Sequence, residues 1–233
     1  MSSYDRFAEY YDEFMEKSEE RINYLIDLIG KHASEGDKIL EIGCGTGEIL
    51  KLLSDRYELY GMDISEGMLA IARDKVSSAI LFKGSMNNFE LKEDFDMIIC
   101  VYDTINHLLD FDEWEETFKA VSSNLKNDGI FIFDYNTPEK IDKVGSYPPQ
   151  IKKINDDFVI INTSSSDDEM IWKVKIFEEI VDNKYELNEQ KIGERSFDRR
   201  KINNSLKNFF SQINFLPGKD TDLSKLKRIY VVC

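Results

Sequence analysis

At 233 residues, 42% of them hydrophobic, the chain can bury one substantial core, and its length favours a single domain (1–233) with an insertion over two independent units. Thirty Lys and Arg against 45 Asp and Glu leave a formal net charge of −15, which opposes the counterion release behind most nucleic-acid binding and disfavours anionic membranes. Cys44, Cys100 and Cys233 show neither disulfide nor metal-ligand spacing, and no signal-peptide pattern or membrane-length apolar run is evident, so a cytoplasmic chain without a metal is expected.

Tyr4, Phe7, Ala8, Tyr11, Phe14 and Met15 recur at helical spacing, and Ile22, Leu25, Leu28 and Ile29 predict a second helix stopped by Gly30. Ile39 to Ile42 read as a buried strand running into Gly43-Cys44-Gly45-Thr46-Gly47, after which Glu48 to Leu53 open a helix. A second strand ends at Asp63, and helix 65–75 follows with Ser65 as its N-cap. Strands are predicted at 79–83, 95–102 and 129–135, with helix 112–125 between the last two. This alternation of strand and helix predicts an α/β fold of Rossmann-like type, a parallel sheet covered by helices on both faces. Ligands of such sheets lie beyond the carboxyl ends of the strands, where Gly43–Gly47, Asp63, Ser85-Met86 and Tyr102-Asp103 all fall.

After Pro138 the pattern changes. Residues 158–164, 170–182 and 184–197 read as extended, with Asp182-Asn183-Lys184 as a hairpin turn, and with no helices between them these strands should pair antiparallel. A helix near 199–210 and strands around 212–217 and 226–233 would complete the main sheet.

Two ligand classes compete for the glycine loop. The dinucleotide fingerprint is G-x-G-x-x-G, but here Glu48 stands where its third glycine belongs, and a carboxylate there repels a pyrophosphate. S-adenosylmethionine carries no phosphate and bears a positive sulfonium, which an acidic loop with Glu41 nearby tolerates or favours. Asp63 at the end of the second strand can accept hydrogen bonds from both ribose hydroxyls of either cofactor.

E-I-G-C-G-T-G at 41–47, G-M-D-I-S-E-G-M-L at 61–69 and F-D-M-I-I-C-V-Y-D-T-I-N-H-L at 95–108 resemble successive motifs of the class I S-adenosylmethionine-dependent methyltransferases, over roughly the first 140 residues. The resemblance implies a seven-stranded, mostly parallel sheet ending in an antiparallel hairpin. It also implies that S-adenosylmethionine is held by Glu41, Gly43, Cys44, Gly45, Gly47, Asp63, Ile64, Met68, Ser85, Met86 and Tyr102. An antiparallel insertion before the sixth strand resembles small-molecule members such as the aminosugar N,N-dimethyltransferases and glycine N-methyltransferase. Residues 140–197 are therefore expected to cap the acceptor site or to build a dimer contact, in a monomer or homodimer.

Tyr11 follows the family's N-terminal Tyr-Asp pattern, which implies a phenol reaching the methionine carboxylate; a core tyrosine on an amphipathic stripe is the other reading. Ser85 departs from the family, many members of which place an aspartate there to accept from the adenine amino group. Methyl transfer is a direct displacement that chiefly needs alignment and exclusion of water, with a base for an amine or hydroxyl acceptor. The candidate base is His107, matched by resemblance to a histidine that faces the acceptor in aminosugar N-methyltransferases; a loop-capping histidine packed on Leu108-Leu109 is the alternative. N-methylation of a small amine is thus expected, with O-methylation of a hydroxyl or carboxylate, or a non-catalytic cofactor-binding regulator, as the other readings.

Overall fold

The computed structural model describes residues 4–15, 18–181, 184–218 and 228–233. Two helices, α1 (Ala8–Phe14) and α2 (Glu19–His32), precede strand β1 (Lys38–Ile42). The Gly30 stop does not hold, for α2 runs two residues further. Leu25, Leu28 and Ile29 are buried along one face, Ser18 caps the start, and the acidic first and basic last turns suit the helix dipole, which together outweigh the roughly 1 kcal/mol cost of an internal glycine.

Helix α3 (Glu48–Leu53), strand β2 (Glu58–Asp63), helix α4 (Glu66–Lys75) and strand β3 (Ile80–Lys83) follow, and Ser65 caps α4 by accepting the Met68 N–H at 3.2 Å. The expected alternation breaks once, because residues 84–94 reach β4 (Phe95–Cys100) without a helix. Strand β4 ends earlier than expected since Tyr102 and Asp103 take φ of 60° and 58°, left-handed backbone that cannot continue a strand. Helix α5 (Phe111–Asn124) leads into β5 (Leu125–Asn136), which starts earlier than expected through a register shift against β4.

Two elements escaped the sequence reading, helix α6 (Pro138–Gly145), with proline in its first turn, and the short strand β6 (Gln150–Ile154). Strands β7 (Asp157–Ser166), β8 (Glu169–Val181) and β9 (Lys184–Arg195) complete an antiparallel four-stranded sheet with β6. The hairpin turn read at Asp182-Asn183 lies outside the described residues. Helix α7 (Arg199–Leu206) precedes β10 (Asn214–Pro217) and β11 (Arg228–Val232).

The main sheet has seven strands in the order β10-β11-β5-β4-β1-β2-β3, with β11 antiparallel to both neighbours and the others parallel. Its central strands carry runs with almost no exposure, such as Met97 to Cys100 and Phe131 to Phe133, because helices cover both faces. The order reverses between β1 and β4, which opens a crevice at their carboxyl ends. A separate apolar cluster joins the two parts of the fold: Phe7, Tyr10 and Phe14 pack on Val159, Ile161, Val174, Ile176 and Ile192 of the small sheet. The burial of each such side chain contributes about 1.5–3 kcal/mol, so the N-terminal segment is held firmly between the small sheet and the crevice.

Candidate functional site

A cavity of about 340 Å³ occupies the crevice. Its floor comes from Glu41 near the end of β1, from Gly43, Cys44 and Gly45 after it, and from Asp63, Ile64 and Met68 around the start of α4. Ser85 and Met86 after β3, Tyr102 and His107 after β4, and Tyr11 of α1 complete the set singled out in the sequence, save one. Gly47 stands outside the lining; at φ +77° a Cβ there would meet Ala72 and Val76 at 3.1 and 3.3 Å, so this glycine serves the close packing of α3 on α4.

The glycine loop is set by backbone. Gly43 and Cys44 both donate to the Met62 carbonyl, at 2.7 and 3.0 Å, which ties the loop to the end of β2. Gly43 has φ +71°, and a Cβ there would lie 2.1 Å from the Thr104 methyl, so the loop and the turn after β4 touch only because side-chain atoms are absent. At Gly45, φ +53°, a Cβ would meet nothing within 4 Å, leaving bare backbone facing the cavity. The Asp63 carboxylate accepts the Gly45 and Ser65 N–H groups at 2.8 Å each, one per oxygen, which aims it while leaving each oxygen acceptor capacity. Burial raises its pKa against those stabilising bonds.

Residues 4–15 strap this floor from above. Asp5 accepts the Ser65 hydroxyl at 2.6 Å and the Gly67 N–H at 3.4 Å, at the N-terminus of α4. Asp12 accepts the Thr46 hydroxyl at 2.7 Å, and Lys75 donates to Asp12 at 2.5 Å and to Glu48 at 3.2 Å.

At the β3 end, Ser85 donates its hydroxyl to the Asn87 side-chain oxygen at 2.6 Å, and Asn87 donates to Glu113 at 3.3 Å. An uncharged hydroxyl chain therefore occupies the place where relatives by resemblance carry an acid. Beside it Ile64 lines the cavity while 55% exposed, an apolar side chain suited to lie under a ring.

The opposite end is apolar apart from phenol and imidazole groups. Leu108, Leu109, Ile192 and Gly193 line it, and the buried Trp114 indole donates to the Leu108 carbonyl at 3.0 Å to fix that stretch. His107 Nδ1 lies 3.0 Å from the Gly193 carbonyl of β9, and its Nε2 lies 3.0 Å from the Tyr4 hydroxyl. It thus both pins a loop and faces the cavity. Burial, then nearby negative groups, hold the Tyr4 phenol well above its ordinary pKa, and burial chiefly does the same for Tyr11.

Behind this end sits a buried charge cluster that the sequence reading missed. Asp134 accepts the Tyr102 and Asp103 N–H groups at 2.5 and 3.2 Å and is ion-paired to Arg228, which also donates to Asp103 at 2.7 Å. Burial would raise the Asp103 carboxyl, but the guanidiniums of Arg228 and Arg21 outweigh it and hold it well below the usual range. Asp103 is tied to these partners and to Asn136 and stands outside the cavity lining, although it falls at the same strand end as Tyr102. Glu194, 1% exposed, is pushed up by burial and by Asp103, and receives the Asn136 amide at 3.3 Å. Its sequence signal was a carboxylate in register with Ile192, on the inward side of an alternating strand.

Residues 39–129 match the family model for a methyltransferase domain. A solved S-adenosylmethionine-dependent methyltransferase from Clostridium acetobutylicum ATCC 824 superposes with a TM-score of 0.79 at 25% identity, over 99% of this chain and 98% of that one. The chain carries a class I S-adenosylmethionine-dependent methyltransferase domain. Among curated relatives of this methyltransferase, a Geobacillus sp. (strain WCH70) protein provisionally named a methyltransferase is 31% identical over 61% of each chain. The dTDP-3-amino-3,6-dideoxy-alpha-D-glucopyranose N,N-dimethyltransferase of Streptomyces fradiae is 30% identical over 47% of this chain and 44% of its own. Both alignments span less than two thirds of the relative's own length. S-adenosylmethionine is the cofactor of this methyltransferase, and the residues present fit it: the bare backbone at Gly45 is a cradle a Cβ would fill, and the acidic rim suits a cation.

Proposed function

We propose that the chain methylates a nitrogen of a small-molecule acceptor, as an enzyme of one domain spanning 1–233. The observation that carries this is the continuity of one cavity, from the glycine loop and Asp63 at one end to Tyr4 and His107 under β9 at the other. A donor and an acceptor held there share a water-poor space, the chief requirement of a direct displacement. The aminosugar specificity in the name of the Streptomyces fradiae relative supports nitrogen as the methylated atom.

In this reading Asp63 accepts the ribose hydroxyls, the backbone of Gly43 and Gly45 abuts the nucleoside, and Ile64, Met68 and Met86 enclose the ring with Ser85 at its edge. Glu41, Cys44 and Tyr102 shape the remaining wall, and Tyr11 meets the amino-acid end. His107 assists the acceptor. Residues 140–197 cap the acceptor end, an arrangement supported by the β9 residues in the cavity wall. When bound, the cofactor supplies a methyl carbon to which the acceptor lone pair bonds as the carbon–sulfur pair returns to sulfur.

The test incubates the chain with S-adenosylmethionine and three acceptors: dTDP-3-amino-3,6-dideoxyglucose, dTDP-6-deoxyglucose and malonate, for amine, hydroxyl and carboxylate. S-adenosylhomocysteine production and a methylated amine are expected. Turnover with malonate alone would move the assignment to O-methylation. A thermal shift with S-adenosylhomocysteine but no turnover on any class would favour a cofactor-binding regulator.

A further inference from the structure

We propose that Tyr4 is the group that meets the acceptor, passing the acceptor's proton to His107 in a two-member relay whose direction is fixed by the Gly193 carbonyl. The inference rests on the methyl-transfer reading of the same cavity and narrows its acceptor to one that carries a proton on the attacking atom, an amine or a hydroxyl.

The direction follows from donors and acceptors. A carbonyl oxygen only accepts, so at 3.0 Å from Gly193 the His107 Nδ1 carries hydrogen. The neutral ring then presents a lone pair at Nε2, and the Tyr4 hydroxyl at 3.0 Å donates to it. This uses the lone pair of the imidazole, so a base acting at Nε2 acts through the phenol. Both side chains line the cavity, and the rings meet edge-on with centroids 5.4 Å apart.

The surroundings keep the phenol a carrier and not a base of its own. The negative or potentially negative groups that act on it are Tyr11, Glu194, Asp103 and Asp63, and with burial they keep it protonated. As the acceptor lone pair bonds to the methyl carbon, the proton leaving the acceptor goes to the Tyr4 oxygen while the Tyr4 proton goes to His107 Nε2. Tyr4 ends neutral and His107 ends as imidazolium, which returns its proton to solvent. A carboxylate acceptor has no proton to shed and would draw nothing from this arrangement.

The relay also ties the chemistry to seating of the N-terminal segment. Tyr4 adjoins Asp5, whose carboxylate is held at the start of α4 by Ser65 and Gly67.

The test needs no knowledge of the natural acceptor. Sinefungin carries an amine where S-adenosylmethionine carries its methyl group, whereas S-adenosylhomocysteine carries nothing there. Tyr4→Phe keeps the ring and removes only the hydroxyl. It should weaken sinefungin about tenfold or more, the scale of one hydrogen bond from a charged donor, and leave S-adenosylhomocysteine within about twofold. Because the chain has 2 histidines, ¹⁵N spectra of the rings assign readily, and His107 should appear as the Nδ1–H tautomer with an Nε2 signal that moves in Tyr4→Phe. Equal affinities of sinefungin for the wild type and for Tyr4→Phe, or an Nε2–H tautomer, would overturn the relay while leaving the cofactor site intact. Failure of the wild type to bind either compound would overturn the cofactor reading itself, and the relay with it. Retained S-adenosylhomocysteine binding by Tyr4→Phe reports that the variant is folded.

Discussion

The carboxylate of Asp134, at the end of β5, accepts the backbone N–H of Tyr102 at 2.5 Å and so holds the turn that follows the neighbouring strand β4. That turn carries two consecutive non-glycine residues in left-handed conformation, each costing about 1–2 kcal/mol. Asp134 offsets the strain, and Arg228 neutralises the charge that the anchor brings into the core. Asp134→Ala should leave a buried guanidinium short of a partner and two N–H groups unpaired. A loss of about 3–5 kcal/mol is expected, read as a fall of roughly 10 °C or more in Tm by calorimetry.

At Asp63 the same residue serves the loop and the ligand, and two substitutions separate these roles. Asp63→Ala removes both, and S-adenosylhomocysteine should bind about ten- to a hundredfold more weakly in titration calorimetry, the range for losing charge-assisted hydrogen bonds. Asp63→Asn keeps an oxygen for one of the Gly45 and Ser65 N–H groups, so it should hold the loop better and weaken the ligand less. Equal binding by all three proteins would remove Asp63 from the site.

Gly43 and Thr104 define a contact that a double-mutant cycle can measure. Gly43→Ala places a Cβ 2.1 Å from the Thr104 methyl at a φ of +71°, and it should cost more than the roughly 1 kcal/mol of backbone strain alone. Thr104→Ser removes that methyl and retains the hydroxyl that donates to the Val101 carbonyl at 2.7 Å. Combined with Thr104→Ser, Gly43→Ala should recover part of its lost stability, with a coupling on the order of 1 kcal/mol in denaturant titrations.

Much of this site was legible because its pieces sit at strand ends, and strand ends are marked locally. Gly43, Gly45, Asp63 and Met86 could be placed together from topology alone, since a parallel sheet brings every carboxyl end to one edge. Gly47 could not be separated from its neighbours, because a glycine required by α4 looks the same in sequence as a glycine required by a ligand. Helix α6 was hidden by its eight-residue length, which spans barely two helical periods and falls short of the window in which apolar periodicity can be read. The partnership of Tyr4 with His107, 103 positions apart, and that of Asp103 with Arg228, 125 apart, leave no local trace. Both depend on how a segment from one end of the chain meets the turn after β4.

Glu194 supplies a pH signature. Its carboxyl is held by burial and by the neighbouring Asp103 at about 8 in the folded chain, against about 4.5 when unfolded. Above the unfolded value the folded chain therefore binds a proton that the unfolded chain has released, so this residue makes stability fall as pH rises from about 4.5 towards 8. Asp103 works in the opposite sense and in a lower window, because its depressed pKa adds stability that is lost only on acidification. Glu194→Gln preserves the shape and cannot ionise. The Tm of the wild type should decline across pH 5–8 more steeply than that of the variant, by roughly 10 °C at about 2–4 °C per kcal/mol for a domain of this size. The carbonyl oxygen of the glutamine can still receive the Asn136 amide, so the two proteins should differ little near pH 5. Parallel Tm curves across that range would mean that Glu194 ionises as readily folded as unfolded, with water or a cation reaching it behind β9.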